Sequence, residues 1–130
     1  GSFTPCPLSA VYCATKAFIL SFSEALSAEL KGSGVTVTAL CPGATASGFA
    51  RKAGKDDSLL FTHGVMNARD VAEQGYKAMM RGKSVAIIGL KNKLLVASVP
   101  FTPRSIRDRI AFSLWKKTKR PKPKSTPAFP

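Results

Sequence analysis

Residues 35–41, Val-Thr-Val-Thr-Ala-Leu-Cys, are rich in β-branched side chains, carry no charge, and stop abruptly at Pro42-Gly43. A strand without a charged face is buried on both sides, and the usual place for one is the interior of a parallel sheet covered by helices. Proline gives a ladder no donor and glycine tolerates a sharp turn, so the strand ends there. Upstream, residues 9–31 read as one long helix. Ser9 stands at its N-cap, Ile19, Phe22, Leu26 and Leu30 recur three and four apart, and Lys31, Gly32 and Gly34 close it. Downstream, Asn67 caps a second helix with Asp70 in its first turn. Val71, Ala72, Gly75 and Met79 give that helix a narrow face of mostly small residues, Gly82 ends it, and residues 84–89, Ser-Val-Ala-Ile-Ile-Gly, form a second short strand. Helix, strand, helix, strand is the parallel α/β order, entered from its middle.

The stretch between the strand and the second helix, 44–66, shows no period, and some 20 residues without regular structure inside a domain usually form a binding loop or lid. Phe49, Leu59, Leu60, Phe61, Val65 and Met66 make it apolar, which favours a hydrophobic ligand. His63 reads as a loop histidine. Cys6, Cys13 and Cys41 have no metal-chelating spacing and read as reduced, mostly buried thiols, so no metal site is expected. The formal charge of +13 is concentrated: residues 104–124 hold nine Lys/Arg against Asp108 alone, leaving +5 for the rest. Thr102-Pro103 opens a basic helix with Ile106, Ile110, Leu114 and Trp115 on one face. That face either docks on its own domain, the favoured reading, or lies on an anionic membrane surface. No aromatic platform accompanies the lysines, so specific nucleic-acid binding is not expected. The longest apolar run, 94–101, is far short of the ~20 residues a membrane span needs.

Tyr12 and Lys16 stand four apart, which on a helix puts their side chains on one face with Cβ atoms about 5–6 Å apart. A phenol ordinarily ionises near pH ~10, and a close positive charge favours the phenolate. That pairing can make tyrosine a general acid/base, although four-residue spacing alone is more often a helical surface pair. Context decides. Tyr-Cys-Ala-Thr-Lys-Ala-Phe begins the long helix, the helix leads to the uncharged strand, and the strand leads to Pro42-Gly43-Ala-Thr-Ala-Ser. Over roughly residues 5–89 this resembles the short-chain dehydrogenase/reductase family. The later Gly-Leu-Lys-Asn-Lys-Leu-Leu and Thr-Pro-Arg resemble the tail of an uncharacterised bacterial subgroup.

The resemblance implies an α/β fold: the C-terminal part of a Rossmann-like doubly wound parallel sheet, an incomplete domain. Residues 1–90 would be the C-terminal half of that domain, 91–118 a basic amphipathic helical extension, and 119–130 a disordered basic, proline-rich tail. It implies an oxidoreductase moving hydride between NAD(P), with NADP slightly favoured, and a small, hydrophobic carbonyl or alcohol. Tyr12 and Lys16 would be catalytic. Both would also touch the cofactor, Lys16 lowering the tyrosine pKa and holding the nicotinamide ribose. Pro42, Gly43, Thr45 and Ser47 would complete the cofactor contacts, Gly43 by letting the backbone approach the nicotinamide. The family's catalytic serine stands thirteen positions before its tyrosine, which falls ahead of Gly1; Ser2 and Ser9 have the wrong spacing. The glycine-rich phosphate loop is not in these 130 residues either. The resemblance further implies a cytoplasmic homo-oligomer when full length; the alternative is an inactive fragment whose basic tail binds anionic membranes. Residues 1–130 expressed alone are therefore expected to lack dehydrogenase activity and to self-associate through an uncovered apolar strand edge and sheet face. Size-exclusion chromatography with a nicotinamide-binding titration checks this, and a cooperative monomer that binds the nucleotide tightly would reverse it.

Overall fold

The computed structural model describes residues 1–48, 52 and 64–115, apart from the Trp115 side chain. Phe49, Leu59, Leu60, Phe61, His63 and the expected 119–130 tail lie outside the described residues. The elements, in order, are α1 (Ala10–Glu29), β1 (Ala39–Cys41), α2 (Ala68–Met80), β2 (Val85–Ile87), α3 (Leu90–Ser98), a 3₁₀ turn (Val99–Phe101) and α4 (Arg104–Trp115). β1 and β2 pair in parallel, Ala39 opposite Val85, Leu40 opposite Ala86 and Cys41 opposite Ile87. The ladder gains a step at each end, where the Ala39 N–H donates to Ser84 O at 2.8 Å and the Ile88 N–H to Cys41 O at 3.1 Å. Parallel pairing in an α/β order fits part of a Rossmann-like sheet.

Both strands are shorter than their composition predicts. Residues 35–38 have strand-like chemistry but no partner strand among the described residues, since Gly82, in the left-handed region at φ +65°, closes α2 just three residues before β2 begins. Val35 is consequently exposed, and the Thr38 hydroxyl is buried without a hydrogen bond. The core is small: Val71 of α2, Ala86 of β2 and Ile88, with Met66 and Ala78 packed on it.

Ser9 does precede α1, but its hydroxyl donates to Leu8 O at 2.8 Å and makes no cap; Gly32 and Gly34, both at positive φ, end the helix as expected. The buried face differs from the predicted stripe. Cys13 and Leu20 face inward, whereas Ile19 and Phe22 are half or more exposed and Phe22 stacks on Phe18. Asn67 caps α2 by accepting from the Arg69 N–H at 2.8 Å, with Asp70 in the first turn. Of its small-residue face Val71 and Gly75 are buried, while Ala72 and Met79 are not. The extension after residue 90 is helical but breaks into α3, the 3₁₀ turn at Pro100 and α4. In α4 the inward residue is Ala111, with Arg107 and Leu114 half-buried; Ile106 and Ile110 are each 49% exposed and do not form the buried face.

Helix α2 approaches the sheet closely because Gly75 has no side chain: a Cβ there would stand 3.0 Å from both methyl carbons of Leu40. Gly75→Val should cost about 1–3 kcal/mol through overpacking. Val at the exposed Ala72 should cost only its lower helix propensity, a few tenths of a kcal/mol. Denaturant unfolding of the two variants in the intact protein measures the difference.

Candidate active site

Helical geometry brings Lys16 back over Tyr12: its ammonium nitrogen lies 5.6 Å from the centroid of the Tyr12 ring, in cation–π range. Because α1 packs against β1, this part of the helix stands beside the end of the strand, where the chain turns at Pro42-Gly43. A cleft of about 510 Å³ opens between them. Tyr12, Lys16, Pro42, Gly43, Thr45 and Ser47 all line it, so the six residues singled out from sequence share one cavity at the C-terminal end of a parallel strand. Ligands of open parallel sheets bind at that end. A second groove, about 650 Å³, runs along residues 2–7 and the first turns of α1. Its walls are mainly apolar and its single carboxylate is Asp108, so it has no acid–base pair.

The third wall of the cleft comes from residues that the sequence did not mark out: Gly1–Phe3 on one side, and Asn92, Leu95 and Val96 of α3 on the other. Leu95 and Val96 belong to an apolar run and could be read only as core. Asn92 had a usable signal, a carboxamide in the first turn of a helix directly after a glycine that ends a strand.

Local chemistry alters two expectations. Thr45 donates its hydroxyl proton to Gly43 O at 3.0 Å, so toward the cleft it can offer only lone pairs. Gly43 was expected to be glycine so that a cofactor could come close. Instead, the place its side chain would occupy is taken by the carboxamide of Asn92, whose oxygen would be 2.9 Å from an added Cβ.

Electrostatics also departs from the simple picture of a lysine-activated phenolate. Burial pushes the Tyr12 phenol above its ordinary value, because removing solvent penalises the anion. The Lys16 side chain is exposed, and water screens an exposed charge effectively. Cys41, at the end of β1, also lines the cleft. Burial, and to a lesser degree Glu24, push its thiol up, against an opposing influence from the Gly1 amino group. A thiol held protonated is a poor nucleophile.

The cysteines require a correction. Cys6 and Cys13 are not reduced but joined in a disulfide with Cα atoms 5.9 Å apart, and Cys41 alone is free. Sequence spacing did not reveal this. Leu8, at φ +67°, reverses the chain between Pro7 and Ser9 and folds Cys6 back onto the first turn of α1. Among the described residues, no three His, Cys, Asp or Glu side chains form a group able to hold a metal.

Residues 1–58 match the short chain dehydrogenase family. The match likens that segment to an oxidoreductase family. It covers 58 of the 130 residues and includes all six cleft residues, from Tyr12 to Ser47. No solved structure matches the chain significantly. The short chain dehydrogenase match ends at residue 58, so α2, β2, α3 and α4 all lie beyond it.

In the unliganded protein the Tyr12 phenol should titrate above pH ~10. Phenolate absorbance, taken as the difference between the protein and its Tyr12→Phe variant, reads this midpoint. A midpoint at or below that value would mean that the Lys16 charge outweighs burial.

Proposed function

We propose that this chain forms the proton-transfer and nicotinamide-ribose side of an NAD(P)-dependent oxidoreductase site, acting on a small hydrophobic carbonyl or alcohol with Tyr12 as general acid/base. The observation that carries the reading is the single cleft holding Tyr12, Lys16, Pro42, Gly43, Thr45 and Ser47 within the segment matched to the short chain dehydrogenases. The polar groups suit a ribose: Lys16 offers three ammonium hydrogens, the Thr45 hydroxyl offers lone pairs, and the Ser47 hydroxyl lies in the same cleft. When bound, the nicotinamide ring supplies or accepts the hydride. Backbone amides for the pyrophosphate would have to come from elsewhere, because no glycine-rich phosphate loop occurs in the sequence.

Within this reading, Tyr12 gives its hydroxyl proton to the substrate oxygen during reduction and takes it back during oxidation. A phenol is protonated at neutral pH and burial pushes Tyr12 further in that direction, so its resting form is the one that reduction uses. Oxidation needs the phenolate and should quicken as pH rises toward the Tyr12 value. Lys16 positions the ribose and, by its charge, lowers the cost of the phenolate when solvent is excluded. Apolar Phe3, Leu95 and Val96 in the wall favour a hydrophobic substrate. Homo-oligomer formation by the intact protein is part of the proposal, supported by Val11 and Phe18, which are 80% and 70% exposed along α1. A peripheral membrane role for the basic C-terminal region has less behind it, since α4 turns Ala111 inward. No helix among the described residues is long and apolar enough to cross a membrane.

In the intact protein, Tyr12→Phe should lower turnover by about 10²–10⁴-fold while leaving nicotinamide-nucleotide binding nearly unchanged, because only the proton is lost. Lys16→Ala should weaken both. Steady-state kinetics alongside a fluorescence binding titration separates the two effects, and a phenylalanine variant that keeps most of its activity would remove Tyr12 from the chemistry.

A further inference from the structure

Parallel pairing of Cys41 with Ile87 carries two chain turns out of the sheet side by side, Pro42-Gly43 from β1 and Ile88-Gly89 from β2. Gly89, at φ +88°, then starts α3, and Asn92 falls in its first turn. The Asn92 amide nitrogen donates to Ile88 O at 2.7 Å and reaches Met66 Sδ at 3.7 Å. Both glycines leave room for it. A Cβ on Gly89 would come within 3.2 Å of that nitrogen, and a Cβ on Gly43 would collide with the whole carboxamide. Met66 is itself stitched to the strand after the turn, its N–H donating to Ala44 O and its carbonyl accepting from the Ala46 N–H, both at 2.8 Å. Asn92 therefore touches the residue after β2, the Pro42-Gly43 turn and Met66, while lining the cleft with Tyr12 and Lys16.

We infer that Asn92 is a positioning residue of the cofactor cleft, wedged against Gly43 so that the Pro42-Gly43 turn and the Thr45–Met66 junction are held at a fixed distance from the Tyr12–Lys16 face. The inference rests on the oxidoreductase reading and goes beyond it, because Asn92 lies outside the segment that matches the family. A carboxamide is well suited to the place. One nitrogen serves both a carbonyl and a thioether, and a side chain of the same shape without donors would leave Ile88 O bare.

The test is a double-mutant cycle in the intact protein with Gly43→Ala and Asn92→Ala, read by NADH and NADPH titration. Gly43→Ala alone should weaken binding strongly, because its methyl group meets the Asn92 carboxamide. In the Asn92→Ala background the same change should cost about tenfold less, as expected for residues in contact. Asn92→Ala and the near-isosteric Asn92→Leu should each raise the nicotinamide KM about tenfold while changing kcat no more than about threefold. Amide exchange at Ala46 and Met66 should quicken in both. Additive effects in the cycle, or unchanged exchange at Ala46 and Met66, would overturn the assignment. If the unmutated protein binds neither nucleotide, the oxidoreductase reading falls, and amide exchange alone then decides whether Asn92 holds the turn.

Discussion

Three residue pairs between β1 and β2 hold the described structure together. Their parallel register aligns Cys41 with Ile87, and from that alignment everything near the cleft follows. It sets the Pro42-Gly43 turn beside Gly89, directs α3 across that turn, and leaves α1 to close the opposite side with Tyr12 and Lys16. A shift of one residue would turn the alternating side chains of β2 over, exchanging buried Ala86 for its half-buried neighbours. The core is too small to resist such a slip by bulk alone, so the glycine at position 75 matters. It lets α2 settle directly on Leu40 and so onto the strand that the register depends on.

Much of this could be read from the chain because the informative residues act locally. A four-residue spacing on a helix, an asparagine ahead of Asp70, glycines after a helix and a proline after a strand each constrain their own neighbourhood. Tyr12 with Lys16, the Asn67 cap and the Gly82 stop were legible for that reason. What was not legible depends on what lies across the fold. The number of residues in β1 that find a partner is set by β2. The inward face of α4 is set by the body beneath it, which receives Ala111 and leaves Ile106 and Ile110 half outside. The Cys6–Cys13 bond requires a left-handed leucine, a conformation that no pattern would have assigned to Leu8. Asn92 was passed over because its meaning lies in Gly43, 49 positions earlier, and a glycine after a proline has an ordinary explanation as a turn residue.

The tyrosine illustrates how one environment supplies opposite influences. Burial raises the phenol and the neighbouring ammonium favours its anion. In the open cleft water weakens the second influence more than the first, because Lys16 is exposed while Tyr12 is partly covered. Excluding water from the cleft would strengthen the lysine's effect, since the same separation counts for more at low dielectric. The proton affinity of Tyr12 is therefore a property of the filled site as much as of the fold.

The junction of Thr45 with Met66 has a consequence for how such a protein can change. Two backbone bonds of 2.8 Å pair Met66 with Ala44 and Ala46, tying together stretches that are distant in the sequence. Those bonds tie Met66, and through it Asn92, to the segment that carries Thr45 and Ser47 into the cleft. A substitution at Met66 would therefore be felt both in the Pro42-Gly43 segment and in α3.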